Sequence, residues 1–313
     1  MSNEETCEIG IAITTYNRKS FILKLVERIR CLTKSKYKVV ICDDGSSDGT
    51  VEALKEKGEI VLGGKNKGIA WNKNRGLFYF QNICKAETII LLDDDVLPEV
   101  AGWDYEWHLA CEKVGHVNFI PPHFHRLTKN RKMTATDLGI GPMVGGMAIG
   151  QSAKALANVG YMDNRFGRYG HEHADFSFRF LRAGFGGVMY NDGGNDHRYF
   201  YLIDGGITIK ESESFGTQED LNRNNELLWE LEKDYIYRLP WRNDEEMHEF
   251  LGEFGERFTG MACPPLPYRF VSKNYLDSNP DIAAAGVDSL DHYVNFGIRE
   301  GRKTSLEAPE KPD

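Results

Sequence analysis

Four short apolar runs alternate with helical stretches in the first 95 residues, and this alternation constrains the fold more than any other feature. The runs are predicted as buried strands because they are short, apolar and bounded by turn-forming residues. They are Ile9 to Thr14, Tyr37 to Cys42, Glu59 to Leu62 and Thr88 to Leu92. Such alternation predicts a parallel sheet with right-handed crossovers, whose ligands bind beyond the carboxyl ends of the strands.

The stretches between these strands are predicted as helices. Ser20 is the expected N-cap of a helix that runs to about Arg30. Further helices are predicted from Val51 to Lys57 and from Ala70 to Phe80. The polar loops that follow the strands then lie at one edge of the sheet, and we expect them to converge on one crevice.

Each of these loops carries a different chemical group. Asp44 can bond to the edge of a base, while Lys67 and Lys73 can meet phosphate. The central apolar run ends in three carboxylates, Asp93 to Asp95, which raise one another's pKa unless a cation lies among them. Hard oxygen ligands suit Mg²⁺ or Mn²⁺, with phosphate oxygens completing the shell. A solvated acidic turn is the alternative for the triplet alone, and the agreement of the other loops favours the metal site.

The composition excludes several classes of protein. The chain has 313 residues, 41% hydrophobic and 27% charged, which is typical of a globular protein with one large domain and a small appendage. A net charge of −9 argues against a broad nucleic-acid surface. The six cysteines show no paired spacing and are predicted to be reduced thiols. The acidic N-terminus is no signal peptide and no apolar run has membrane-spanning length, so we expect a cytoplasmic protein without a transmembrane segment.

Several segments resemble the motifs of family 2 glycosyltransferases with the GT-A fold, in the same order along the chain. Val39 to Thr50 is similar to their uridine-binding loop, and Asn66 to Gly76 to the motif that follows. Asp93 to Asp95 resembles their Asp-x-Asp (DXD) metal motif, and Gly145 to Phe185 contains segments similar to their acceptor side. The resemblance extends over roughly Cys7 to His197. It implies an α/β fold with a Rossmann-like mixed sheet and flanking helices.

The resemblance implies which residues hold the nucleotide. Thr14 and Tyr16 would border the nucleobase, Asp44 would hydrogen-bond the pyrimidine ring, and Asp94 would lie near the ribose. Lys73 stands where relatives often have an arginine, and as a point charge it can still meet phosphate. The implied donor-binding set is Thr14, Tyr16, Asn17, Asp44, Asn66, Gly68, Lys73, Asp93 and Asp94.

A site for Mn²⁺ or Mg²⁺ is implied in the same way. Asp95 would bind the cation that bridges the donor diphosphate, with Asp93 beside it. His197 matches the place where many relatives supply an imidazole ligand, and Asp196 is the fallback. The alternative for a lone histidine near a turn is a solvated side chain. The cation would stabilise the negative charge that develops as the sugar departs.

The group that deprotonates the acceptor is left open by the sequence. Inverting relatives carry Glu-Asp at the element Tyr169 to Arg179, and the aspartate is their base. Here Glu172 keeps its place, but His173 occupies the slot of that aspartate. An imidazole, with an ordinary pKa near about 6.5, can act as a base at neutral pH. We expect Glu172 or Asp175 to be the acidic partner, with His173 as the rival, while a helical salt bridge to Arg179 is the alternative for Asp175.

Three units are predicted along the chain. Residues 1–205 form the GT-A domain, residues 206–262 a helical connector that packs on it, and residues 263–313 a small helical module. A proline-rich linker, Cys263 to Pro267, separates the last two. The module resembles one appended to bacterial glycosyltransferases, and because about 40 residues make a small core we expect it to dock on the rest.

The resemblance predicts a metal-dependent glycosyltransferase. The donor would be a nucleotide sugar, with a UDP-sugar favoured and a hexosyl or N-acetylhexosaminyl group transferred. The acceptor would be a hydroxyl of a glycan or glycolipid in surface polysaccharide synthesis, reached by an inverting displacement. Peripheral association with the inner face of the membrane, or with a glycosyltransferase complex, is compatible with this prediction. A retaining GT-A transferase and a catalytically silent glycan- or nucleotide-binding protein are the alternatives.

Overall fold

A computed structural model describes residues 6–128, 131–210, 216–255 and 272–293, together with Arg302. The strands of the described chain are β1 (Ile9–Thr15), β2 (Tyr37–Asp43), β3 (Val61–Gly63), β4 (Thr88–Asp93), β5 (Val96–Pro98), β6 (His116–Phe119), β7 (Gly139–Gly141), β8 (Ala148–Ser152), β9 (Gly187–Asp192), β10 (Asn195–Ile203) and β11 (Ile207–Ile209). All but β5 and β11 belong to one mixed sheet in the order β3-β2-β1-β4-β8-β6-β10-β7, with β9 paired to β10.

The helices flank this sheet or follow it in the chain. They are α1 (Lys19–Leu32), α2 (Thr50–Glu56), α3 (Ile69–Phe78), α4 (Trp103–Val114), α5 (Ala153–Val159), α6 (Glu172–Arg182), α7 (Gln218–Leu231), α8 (Asp244–Gly252), α9 (Ser272–Ser278), α10 (Pro280–Ala285) and α11 (Ser289–His292). Among the described residues no helix is long and apolar enough to cross a membrane.

The four predicted strands form the parallel half of the sheet. Strands β3, β2, β1 and β4 pair in parallel, so their carboxyl ends share one edge. The third strand begins at Val61 rather than Glu59, and α3 ends at Phe78, where a π turn over Tyr79–Ile83 begins. Strand β8 runs antiparallel between β4 and β6, which makes the sheet mixed, as predicted.

The predicted cap of the first helix is wrong. Arg18 is the N-cap residue and Lys19 is the first helical residue, so Ser20 lies inside the first turn. The backbone amide of Lys19 in this first turn donates to Asp48 Oδ2 at 3.1 Å. The hydrogen-bond acceptor therefore comes from another loop. A cap supplied from a distant loop leaves no pattern in the local sequence.

The side chains of β1 alternate between two apolar layers. Ile9, Ile11 and Ile13 belong to the same cluster as residues of α1 and α4, while Ala12 faces the layer that contains α3. Helix α3 lies close to the sheet because Gly76 faces Ala12. A Cβ at Gly76 would lie 2.3 Å from the Ala12 Cβ. This close packing holds α3 and the loop before it over the carboxyl end of β2.

His116 of β6 is fully buried beneath α6. Its ring stacks on Phe180 at 4.1 Å between centroids, and Nε2 lies 3.0 Å from Ser177 Oγ. Burial disfavours the charged imidazolium and lowers the pKa of His116 to about 3. Because an unfolded chain would bind a proton at about pH 6.5, the stability present above that pH is lost as the pH falls.

We predict that His116→Gln flattens the acid side of the stability profile. Between about pH 7 and 5 the wild type should lose about 2 kcal/mol of unfolding free energy through this group, and the variant should not. Urea denaturation at both pH values measures the difference, with the exposed His248→Gln as the matched control. Equal pH dependence in the wild type and His116→Gln would show that His116 does not titrate on unfolding.

The chain beyond the large sheet forms two further groups of helices. Strand β11 lies just after the predicted boundary at residue 205 and pairs with β5 of the first unit. Helices α7 and α8 fall in the predicted connector. Tyr275 of α9, Ile282 of α10 and Tyr293, which follows α11, form a buried cluster with Tyr237. The predicted proline-rich linker lies outside the described residues, and the division into three units stays a prediction.

Candidate functional site

A cleft of about 430 Å³ opens at the carboxyl ends of β1, β2 and β4 and faces the amino end of α6. Its walls come from the strand-end loops, the loop before α6, and α7. The predicted site residues that line it are Thr14, Tyr16, Asp44, Asn66, Asp93, Asp94, Asp95, Glu172 and His173. Groups predicted from separate parts of the sequence therefore meet in one cavity.

Asp44 is held rigidly at one end of the cleft. Its carboxylate accepts hydrogen bonds from the amides of Lys67 and Gly68, both at 2.9 Å. Burial raises the pKa of Asp44, and these amides together with the charge of Arg75 oppose that rise. Gly68 has a φ of +94°, and a Cβ there would lie 2.2 Å from the Gly167 carbonyl oxygen. The chain can keep this positive φ and lie against Gly167 because residue 68 has no side chain.

Asn17 and Lys73 support the cleft from behind it. The backbone amide of Asn17 donates to Ser46 Oγ at 2.8 Å, and the side-chain Oδ1 of Asn17 accepts from the backbone amide of Ser47 at 2.7 Å. These two bonds connect the first loop to the second. Lys73 is 1% exposed, and its Nζ lies 3.0 Å from Asp93 Oδ1. The structure thus places Lys73 beneath Asp93.

The three carboxylates at the end of β4, Asp93 to Asp95, have different partners. Asp93 accepts from Thr14 Oγ1 at 3.0 Å, and Asp94 accepts from Thr15 Oγ1 at 2.7 Å. Arg18 bridges Asp94 and Asp95, with its guanidinium 3.1 Å from the first carboxylate and 3.2 Å from the second. Burial raises the pKa of Asp94 to about 7, against the opposing effects of its hydrogen bond from Thr15 and the charge of Arg18. These contacts fix the triplet at the mouth of the cleft.

The donor set fits a hard divalent cation that binds together with a diphosphate. Asp93 and Asp95 keep side chains that are 30% and 13% exposed at the cleft. Among the described residues no three His, Cys, Asp or Glu side chains converge on a common point. Mg²⁺ and similar ions usually take one or two carboxylates and complete their shell with water and phosphate oxygens. The arrangement therefore suits a shared protein–nucleotide site rather than a closed protein cage.

Glu172 opens α6 and is buried in the wall of the cleft. Its Oε1 lies 3.3 Å from His173 Nδ1, whereas its Oε2 has no hydrogen-bond partner among the described residues. Burial opposes ionisation, but the hydrogen bond from His173 and the charges of His173 and Lys73 bring the pKa of Glu172 to about 2. An ionised carboxylate, one of whose oxygens is buried without a hydrogen-bond partner, thus stands in the wall of the cleft.

The part of the chain that supplies the strand-end loops of the cleft matches a known protein family. Residues 10–107 match the family described as Glycosyl transferase family 2. The uncharacterized glycosyltransferase R363 of Acanthamoeba polyphaga mimivirus is 30% identical over 193 residues, which covers 56% of this chain and 73% of that protein. The chain belongs to the family 2 glycosyltransferases.

Two further matches concern part of the chain or the fold of this glycosyltransferase. The undecaprenyl-phosphate 4-deoxy-4-formamido-L-arabinose transferase of Aeromonas hydrophila is 27% identical over 103 residues, or 31% of each chain. The structure of GalNAc-T7 with UDP, GalNAc and Mn²⁺ superposes with a TM-score of 0.53 at 16% identity, covering 79% of this chain and 54% of that one. This likeness confirms the predicted GT-A fold. The chain spans about half the length of that structure.

Asp175 of the glycosyltransferase does not line the cleft. Its Oδ2 lies 2.8 Å from Arg179 Nε, and both side chains are buried. Arg179 in turn donates to the carbonyl oxygens of Val159 and Tyr161. The helical salt bridge, weighed as the alternative for Asp175, is the contact that the structure contains.

His197 is not brought to the cleft either. Through β6 and β8 the register places Leu202 of β10 level with Leu91 of β4. His197 precedes Leu202 by five residues, about 17 Å toward the amino ends of the strands, whereas Asp95 lies beyond the carboxyl end. Its ring stacks on Tyr190 at 4.9 Å. This placement gives no support to His197 as a metal ligand.

Several residues in the wall received no role from the sequence. Arg18, Arg168, His171 and Leu221 all line the cleft. Arg18 was visible as the basic residue that ends the first loop, and Arg168 and His171 lie just before Glu172. Leu221 comes from α7, far along the chain, and only the fold brings it here.

Proposed function

We propose that this family 2 glycosyltransferase moves a sugar from a nucleoside diphosphate sugar to a hydroxyl of a glycan or glycolipid, with Mn²⁺ or Mg²⁺. The observation that carries the proposal is the single cleft that contains Asp44, Asp95 and Glu172. Asp44 offers a group that can recognise the nucleobase, Asp95 a metal-binding carboxylate, and Glu172 a proton acceptor. A cavity of about 430 Å³ also falls in the usual range of small-molecule sites.

The donor half of the cleft supports a UDP-sugar. Each oxygen of Asp44 accepts one backbone amide, and a carboxylate oxygen can accept two hydrogen bonds. Because Arg75 also lies against Oδ1, it is Oδ2 that keeps the capacity to accept a hydrogen bond from the edge of a nucleobase, such as the imide N–H of uracil. Thr14 and Tyr16 would border the nucleobase, and Asp94 would lie near the ribose. The solved GalNAc-T7 structure of the same fold contains UDP and Mn²⁺.

Asp95, with Asp93 beside it, would hold the metal at the mouth of the cleft. A bound divalent cation supplies charge stabilisation to the departing nucleoside diphosphate. Arg18 already neutralises part of the charge on Asp94 and Asp95. Lys73 supports Asp93 from below.

The acceptor half supports Glu172 as the base. The acceptor hydroxyl would give its proton to the Glu172 carboxylate as its oxygen attacks the anomeric carbon of the donor sugar. The new glycosidic bond forms while the bond from that carbon to the diphosphate oxygen breaks, and the electron pair leaves with the nucleoside diphosphate. Attack opposite to the leaving group inverts the anomeric centre. Retention of configuration stays an alternative because His173 occupies the slot of the usual base.

A catalytically silent nucleotide-binding protein is the second candidate. A pKa of about 2 makes the Glu172 carboxylate a weak proton acceptor at neutral pH, since the best bases have a pKa near the working pH. Transfer would then depend on His173 or would not occur. Donor turnover separates this candidate from the transferase.

The test is release of nucleoside diphosphate from a panel of UDP- and GDP-sugars, with Mn²⁺ or with EDTA. We expect at least one UDP-hexose or UDP-N-acetylhexosamine to turn over with Mn²⁺ and none with EDTA. Binding of a UDP-sugar without turnover, over a panel of glycan acceptors, would favour the silent binding protein. Turnover confined to GDP-sugars would refute the role of Asp44 as a uracil reader.

A further inference from the structure

A buried arginine connects Asp44 to the connector after the large sheet. Arg75 of α3 is 0% exposed, and its guanidinium grips the Glu253 carboxylate with two parallel bonds of 2.7 and 2.8 Å. The remaining nitrogen of Arg75, Nη1, lies 3.4 Å from Asp44 Oδ1 and donates to Asn72 Oδ1 at 2.7 Å. One buried cation is therefore shared unequally between two carboxylates, with the tight contact on Glu253.

The unequal sharing matters for the acceptor capacity of Asp44. A guanidinium prefers a bidentate carboxylate partner, because two parallel bonds match its geometry. Glu253 satisfies this preference and keeps Arg75 at the longer distance from Asp44. Without Glu253, Asp44 would be the one carboxylate left in contact with Arg75 among the described residues. The guanidinium would then turn toward Asp44 and occupy lone pairs of its carboxylate oxygens.

The segment that carries Glu253 is fastened to the same loop at other points. Glu249 of α8 lies 2.6 Å from Lys67 Nζ, and the Trp71 indole donates to Glu253 at 3.2 Å. Phe250 packs against the Trp71 ring with centroids 5.2 Å apart. Glu249, Phe250 and Glu253 lie beyond residues 10–107, where the family match ends, and their partners lie within that range.

We propose that Glu253 is a positioning residue that sets nucleobase recognition by Asp44 through Arg75, which makes the connector part of the donor site. The inference rests on the proposed function, because it assumes that Asp44 reads the base. Glu253 raises the affinity of the donor site for UDP and its preference for uracil over guanine. The acceptor side and the chemical step at Glu172 are on another wall of the cleft and stay unchanged.

The experiment compares Glu253→Gln with the wild type by calorimetric titration of UDP and GDP in the presence of Mn²⁺, and by steady-state kinetics. We expect the Kd for UDP and the KM for the donor to rise about tenfold, as for loss of one charge-assisted contact, with kcat within about twofold. The preference for UDP over GDP should fall by a similar factor. Glu253→Asp, which keeps the charge but shortens the side chain, should recover part of the UDP affinity. Glu245→Gln, an exposed carboxylate of α8, the helix that ends just before Glu253, is the matched control.

The outcomes separate this inference from the proposed function. If the wild type binds no nucleotide, the proposed function fails and the inference fails with it. If the wild type binds UDP and Glu253→Gln binds it equally well, the inference alone is overturned. An equal loss of UDP affinity, GDP affinity, kcat and thermal stability would assign Glu253 a purely structural role and would also overturn it. Should Glu253→Gln not fold, Glu253→Asp gives the same comparison, with an intermediate Kd for UDP expected and an unchanged Kd contradicting the inference.

Discussion

Asp95→Ala should reduce donor turnover at least about a hundredfold and abolish the dependence of donor binding on Mn²⁺. Asp95 is the carboxylate at the mouth of the cleft beyond β4, and Arg18 is its cationic neighbour. With Asp95 removed, the departing diphosphate loses the residue that we expect to hold its metal. Initial rates over a range of Mn²⁺ concentrations, with calorimetry of Mn²⁺ in the presence of UDP, measure the effect.

The control for this variant is Glu99→Ala. Glu99 follows β5 and forms an exposed ion pair with Arg28, so its loss changes the net charge equally without touching the cleft. Exposed ion pairs contribute about 0–1 kcal/mol, and this control should behave like the wild type. An Asp95→Ala enzyme that keeps its rate within about threefold would remove Asp95 from the metal site.

Glu172→Gln should lower kcat by about 10²–10⁴-fold while leaving the Kd for UDP unchanged, since the amide has no basic oxygen to receive the acceptor proton. The substitution keeps the size of a side chain that is buried in the wall. Because the pKa of Glu172 is about 2, the carboxylate is ionised throughout the neutral range. The wild-type kcat should therefore show no acid limb due to this group between about pH 8 and 5.

His173→Ala is the companion variant that tests the rival base. If His173 is the base, this variant loses kcat and Glu172→Gln largely keeps it, and the wild-type rate falls on acidification as an imidazole is protonated. Loss of activity in both variants would indicate that the hydrogen bond between the two side chains is needed. Full activity in both would leave the proposed acceptor wall without a proton acceptor.

The parallel half of the fold was predictable because it depends on local pattern. Apolar runs of strand length followed by polar loops identify β1, β2 and β4, and the topology rule brings their ends together. Asp44 and Asp95 could be named for that reason. The salt bridge between Asp175 and Arg179 was also visible, because residues four apart meet on one face of a helix.

The features that the sequence did not indicate depend on contacts between distant parts of the chain. Ser20 was expected to cap the first helix, but the carboxylate that accepts a hydrogen bond from the Lys19 amide belongs to Asp48, in the next loop. His197 follows the motifs in the right order, but the direction of β10 carries it toward the other edge of the sheet. Arg75 and Glu253 are far apart in the sequence and meet only when α8 packs on α3. No periodicity or spacing reports such pairs.

A crystal structure with UDP and Mn²⁺ would locate the donor and the cation together. We predict an anomalous manganese signal within about 2.2 Å of an Asp95 carboxylate oxygen, shared with diphosphate oxygens. We also predict the uracil edge in hydrogen-bond contact with Asp44 and an open space between the diphosphate and Glu172. A manganese ion elsewhere, or UDP bound outside this cleft, would contradict the assignment of the site.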